Sequence, residues 1–218
     1  MQITTILCDL DGTLVDSRRD IALAFQHAWR TVDGGIPPSA TAIAQHIGKP
    51  LAKMLSELGG MLSPLLLSTF LTAYRRTYTR QGARLTQLYP GVILTLQALS
   101  VFTLGVVTTK ESRQAEIVLR RLGLIRFFQH IQGGSLGLRL KPAPDTILAA
   151  LAALQCAPPH ALMVGDTPAD VLAGKAAGTK TCAVTYGFAT REALLQCAPD
   201  YVIDSFRELL DLVRESRG

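Results

Sequence analysis

Asp9 and Asp11 stand one residue apart at the end of a short apolar run, Ile3-Thr4-Thr5-Ile6-Leu7-Cys8, and Gly12 and Thr13 follow at once. If the backbone stays extended, both carboxylates project to the same side. Such a pair can hold a hard cation, or one acid can attack an electrophile while the other moves protons. An Asx-type turn closing an ordinary strand is the plain structural alternative. An EF-hand loop also opens with Asp-x-Asp-Gly, but no bidentate Glu follows at the required spacing. Three later stretches carry complementary groups: Thr108-Thr109-Lys110, Lys141-Pro142, and Gly165-Asp166 with Asp170 four residues on. Carboxylates suit Mg²⁺, which prefers oxygen ligands. A hydroxyl and an ammonium can hold phosphoryl oxygens and offset their charge. With metal and lysine neutralising both partners, a carboxylate attacks phosphorus and forms an aspartyl-phosphate. Each stretch also has a local reading. Thr108 or Thr109 can cap a helix, Lys141 can sit in a surface loop, and Asp170 falls in a first helical turn, where the dipole favours an acid.

Residues so far apart act together only if the fold carries them to one edge. The run at 3–8 reads as a buried parallel strand, and further strands are expected at 103–107, 130–132, 161–164 and 181–184, with an edge strand at 201–203. Helices are expected between them, at 92–99, 113–122, 144–154, 168–177 and 205–214. Strands alternating with helices predict an α/β fold, a mostly parallel sheet covered on both faces. Parallel strands place their carboxyl ends, and hence Asp9, Asp11, Thr108, Lys141 and Asp166, along one rim. Between residues 16 and 84 the pattern is helical throughout, without a strand signal. Helices start at Ser17, Ser39, Pro50 and Ser63-Pro64, and Gly82 stops the last. The chain therefore divides into a core, 1–15 with 85–218, and an all-α insert, 16–84.

Nearly half of the 218 residues are hydrophobic and 18% are charged, so a well-buried core is expected and disorder is not. No apolar stretch is long enough to span a membrane, and no basic-then-apolar leader opens the chain. The four cysteines form no Cys-x-x-Cys pair and the four histidines show no metal-ligand spacing, which speaks for a reducing cytoplasm and against a soft-metal site. Residues 16–84 carry nine Lys or Arg against four acids, an excess equal to the whole chain's formal +5. A basic surface beside a carboxylate-lined site attracts a small anion; taken one by one, these residues also read as solvated helix faces. No basic run interleaved with aromatics suggests nucleic acid. Gly48-Lys49, between two insert helices, is a candidate substrate-recognition loop, or simply a helix–helix turn ending in Gly. Phe25, Trp29 and Tyr74 fall on apolar helix faces and read as core.

Asp9-x-Asp11-x-Thr13, Thr108, Lys141-Pro142 and Gly165-Asp166-x3-Asp170 together resemble, in order and spacing, the four motifs of the haloacid dehalogenase-like phosphohydrolases. The helical insert looks like the C1 cap of that superfamily, on a Rossmann-like core. Tyr89-Pro90-Gly91-Val92 and Val107-Thr108-Thr109-Lys110 are similar to the phosphoglycolate phosphatase branch, although that branch commonly has Asn where this chain has Thr109. The resemblance implies Asp9 as nucleophile and Mg²⁺ ligand, and Asp11 as general acid and base whose backbone carbonyl also touches the metal. It implies Thr108 and Lys141 on the phosphoryl group, Asp166 as a metal ligand and Asp170 behind it. Thr13 and Thr109, with Gly48 and Lys49 from the insert, would bind substrate. The implied activity is Mg²⁺-dependent hydrolysis of a small anionic phosphorylated metabolite, 2-phosphoglycolate foremost, by a cytoplasmic monomer or homodimer without nucleic-acid or membrane partners. Rival readings are a phosphomutase of the β-phosphoglucomutase type, a pyrophosphatase or nucleotidase of the same superfamily, a dehalogenase, and a non-catalytic binding module.

Overall fold

The computed structural model describes residues 2–32, 35–60, 63–134 and 137–215. Its main sheet is built from β1 (Thr5–Cys8), β4 (Thr103–Glu111), β5 (His130–Gly134), β6 (Ala161–Gly165), β7 (Lys180–Val184) and β8 (Tyr201–Ile203). All six strands are parallel, in the order β5-β4-β1-β6-β7-β8. The connecting helices are α5 (Val92–Ala98), α6 (Ser112–Arg121), α7 (Asp145–Ala153), α8 (Pro168–Ala177), α9 (Arg191–Gln196) and α10 (Leu209–Glu215). The apolar run in β1 is unbroken because both faces of the sheet are covered. Ile6 and Cys8 pack with Val106, Val164 and the apolar faces of α5, α6 and α10. Leu7, between them in sequence, points the other way, to Val107, Met163 and residues of α7 and α8.

Chain order places β1 in the middle, with β4 on one side and β6 on the other. The winding therefore reverses beside β1, and the carboxyl end of that strand opens into the crevice where α/β sheets take their ligands.

Along the chain, between β1 and β4, come α1 (Arg18–Val32), α2 (Ala40–Ala44), α3 (Leu51–Glu57) and α4 (Pro64–Gln81). Ser39 and Ser63 accept from Ala42 N and Leu66 N, and Gly82 closes α4 in the left-handed conformation. Phe25 and Trp29 of α1 pack against Phe70 and Tyr74 of α4, with the Phe25 and Phe70 rings edge-on at 5.0 Å.

The structure departs from the sequence reading at three places. The strand expected to end at 107 continues to Glu111, so Thr108, Thr109 and Lys110 belong to β4 rather than to a loop beyond it. Two residues on each crossing to the helical segment, β2 (Val15–Asp16) and β3 (Gln87–Leu88), form an antiparallel ribbon. The short helix α9 also went unread. Among the described residues, no helix is long and apolar enough to cross a membrane.

Candidate active site

Asp9 leaves β1 with its N–H donated to Val164 O at 2.9 Å, so the strand's last ladder bond fixes it. The chain then turns at Gly12, whose φ is +94° and whose N–H donates to Val15 O at 2.8 Å. A Cβ at Gly12 would fall 2.1 Å from Asp166 Oδ2, so only glycine lets this turn approach the end of β6. A Cβ at Gly187 would likewise collide with the Asp166 side chain, at 2.2 Å. Asp166 thus lies in a cradle of backbone. Its Oδ1 accepts from the Thr13 hydroxyl at 2.8 Å and its Oδ2 from Phe188 N at 2.9 Å.

Lys141 is 4% exposed and stands among these acids. Its ammonium donates to Asp9 Oδ1 at 2.9 Å, to Asp170 Oδ1 at 2.5 Å and to Val107 O at 2.8 Å. Asp170 caps α8 as well, its Oδ2 accepting from Thr167 N and the Thr167 hydroxyl. The capping role and the lysine-binding role coexist in one carboxylate, one oxygen for each. Carboxylate oxygens of Asp9, Asp166 and Asp170 all come within 4.8 Å of one another.

The electrostatics follow from burial. Desolvation pushes the Asp9 carboxyl up to about 7; Lys141 pulls against it, while Asp170 and Asp11 add to the rise. Burial and the charges of Asp170 and Asp9 push Asp166 well above the usual carboxylate range, against bonds from Phe188 and Thr13. Burial opposes the charge of Lys141, but Asp170 and Asp9 outweigh it and hold the ammonium above its ordinary range. Three buried acids against one lysine leave an all-oxygen site short of positive charge. That donor set fits a hard divalent cation.

Asp11 faces elsewhere. Its Oδ1 accepts from the Ser17 hydroxyl and its Oδ2 from the Lys110 ammonium at 3.0 Å. Its carboxylate is not in the three-acid cluster. Thr108 is buried, and its hydroxyl accepts from Lys110 N at 3.2 Å.

A cavity of about 780 Å³ opens over this rim. Asp9, Asp11, Thr108 and Thr109 line it from the sheet, and Gly48 and Lys49 from the helical segment. Gly48, at φ +98°, comes so close to the sheet that a Cβ there would lie 2.9 Å from Thr167 Cγ2. Lys49 is bonded to Glu57 in this structure, though it stays at the cavity wall. The rim thus brings together Asp9, Asp11, Thr13, Thr108, Thr109, Lys141, Asp166 and Asp170, with Gly48 and Lys49 opposite.

Residues 6–184 match the family of haloacid dehalogenase-like hydrolases. This chain belongs to that family. The hydrolase is 35% identical to a phosphoglycolate phosphatase of Vibrio vulnificus over 223 residues, covering 97% of this chain and 96% of that one. It is 34% identical to a pyrophosphatase PpaX of Halalkalibacterium halodurans over 215 residues, 98% of both chains. A solved haloacid dehalogenase-like hydrolase from Streptococcus pneumoniae superposes with a TM-score of 0.86 at 34% identity, covering 96% of this chain and 98% of that one.

Ser17 and Lys110 both bond the Asp11 carboxylate, and the sequence alone assigns neither a role of its own at the site. In the sequence Ser17 carries only a helix-start signal. Lys110 had a usable signal: in a strand, positions 108 and 110 share a face. Ending the strand at 107 removed that argument.

Proposed function

We propose that this hydrolase is Mg²⁺-dependent and removes the phosphoryl group from a small anionic metabolite, with 2-phosphoglycolate the leading substrate, through an aspartyl-phosphate on Asp9. Lys141 carries the reading: one buried ammonium bonded at once to Asp170 and to Asp9, which lines the cavity. A carboxylate so placed is oriented, and its positive neighbour also meets the incoming phosphoryl oxygens. Asp9 and Asp166, with the backbone carbonyl of Asp11, would hold the metal, and Asp170 keeps Lys141 in register. When bound, Mg²⁺ supplies charge that draws the phosphoryl oxygens in and relieves the crowding of carboxylates.

Asp9 attacks phosphorus as the bond from phosphorus to the leaving oxygen breaks. Asp11 gives that oxygen its proton, then takes one from the water that attacks the phospho-aspartate, which frees phosphate and restores Asp9. Thr108 and Lys141 hold the phosphoryl oxygens in both steps. Helices α1–α4, residues 16–84, act as a cap that closes over the rim and reads the leaving group through Gly48 and Lys49, with Thr109 contributing from the sheet. The four free thiols, Cys8, Cys156, Cys182 and Cys197, support a reducing cytoplasmic setting.

Pyrophosphate is the second reading, supported by relatives of that name at the same level of identity. A panel of 2-phosphoglycolate, pyrophosphate, hexose phosphates and nucleoside monophosphates, assayed with Mg²⁺ for kcat/KM and for isomerised sugar phosphate, separates these readings from a mutase. Asp9→Asn should lower phosphate release at least ~10³-fold. Wild-type-like release by that variant overturns the mechanism.

A further inference from the structure

We propose that Lys110 is a positioning residue for Asp11: its ammonium pins one carboxylate oxygen and so fixes the direction in which Asp11 exchanges protons with substrate and water. This rests on the phosphatase reading above, in which Asp11 is the proton carrier.

Lys110 is 9% exposed, and leaving a buried ammonium unpaired costs several kcal/mol. Among the described residues its carboxylate partner is Asp11, at 3.0 Å from Oδ2. The site therefore holds two buried lysines with separate duties. Lys141 serves Asp9 and Asp170, and Lys110 serves Asp11. The Lys110 ammonium also lies over the Tyr78 ring of α4, 4.2 Å from its centre, a cation–π contact that favours this placement of the charge. The next residue, Glu111, pairs with Arg75 of α4 at 3.1 Å, so the end of β4 is tied twice to that helix.

The two oxygens of Asp11 are held unequally. Oδ2 accepts a charge-assisted bond from a buried cation, the stronger kind. Oδ1 accepts from the neutral hydroxyl of Ser17, which precedes α1. Lys110 thus supplies the charged half of the hold on this carboxylate. Without Lys110 the carboxyl can turn about its Cβ–Cγ bond, and the proton is no longer aimed.

The step that reads this is protonation of the leaving oxygen, so the test varies the leaving group. An alkoxide needs the proton; p-nitrophenolate leaves well without it. With Mg²⁺ present, Lys110→Met should lower kcat about 100-fold on 2-phosphoglycolate, or on whichever alkyl phosphate the wild type turns over fastest, but less than about 5-fold on p-nitrophenyl phosphate. Lys110→Gln, which keeps a donor, should recover part of the alkyl phosphate rate. Should Lys110→Met fail to fold, Asp11→Asn is compared with Asp11→Asn/Lys110→Met, in which neither charge remains. Equal alkyl phosphate rates for those two variants support the proposal, because Lys110 then acts only through Asp11. A further drop in the double variant, or equal losses on both substrates in Lys110→Met, overturns it. Failure of the underlying reading looks different: wild-type protein releases no phosphate, or Asp11→Asn leaves alkyl phosphate turnover unchanged.

Discussion

In the Asp9 carboxyl burial opposes the lysine beside it, and burial wins. Unfolded, this group ionises near the ordinary 3.8; folded, at about 7. Between those values the folded chain holds a proton that the unfolded chain has lost. Raising the pH through that window therefore lowers the stability of the metal-free protein. Asp166 is shifted in the same direction. A divalent cation binds only the ionised acids, so its stabilising effect should grow as the pH rises. Thermal unfolding in EDTA and in Mg²⁺ checks this: the gain in Tm on adding Mg²⁺ should be larger at pH 8 than at pH 5.5. An equal gain at both contradicts the assignment of these acids as metal ligands. At this scale much was legible, since acids at the end of an apolar run leave few structural uses for their charge. The partners of Asp11 were not, because Ser17 reaches it through the turn after β1 and Lys110 through a strand that continues past residue 107.

Elements earn their place here by where they stop. β1 ends at Cys8 and α8 begins at Pro168, and each boundary sets a carboxylate at the rim. Both were readable from Gly12 and from the Thr167-Pro168 start, whose chemistry is local. β4 was not readable to its end. Thr108 through Glu111 is polar and looks like a loop, yet it stays extended, and its pairing with β5 shifts register between Val107 and Glu111 before resuming at Gly134. β2 and β3 are two residues each, too short for any periodicity, and exist because the chain leaves and re-enters the core side by side. Asp20 fastens that crossing: one of its oxygens accepts from Leu85 N at 2.9 Å and from the Thr86 hydroxyl at 2.7 Å, in a buried setting. Asp20→Ala strands both donors and should cost about 1–3 kcal/mol. Urea unfolding measures it; an unchanged midpoint contradicts the fastening role.

Over the whole molecule, strand order decides where chemistry occurs. β1 sits between β4 and β6, so the crevice at its end collects side chains from stretches as distant in sequence as Asp9 and Asp170. The alternation of strands and helices announced a parallel sheet, but which strand lies at the centre depends on winding that no local pattern encodes. The helical segment meets this rim at Gly48, which touches Thr167 and lines the cavity. Gly48→Ala strains a left-handed backbone and pushes that loop from the sheet. KM should rise about tenfold with kcat changed far less, the pattern of lost binding rather than lost chemistry; a fall in kcat at unchanged KM contradicts the recognition role. The central claim is that Asp9 itself takes the phosphoryl group. A single turnover with phosphorus-labelled substrate, quenched in acid and mapped by peptide, tests it most directly. The account predicts acid-stable label on the peptide bearing Asp9 in the wild type and none in Asp9→Asn. Phosphate released without label ever appearing on that peptide, or label on another residue, would contradict it.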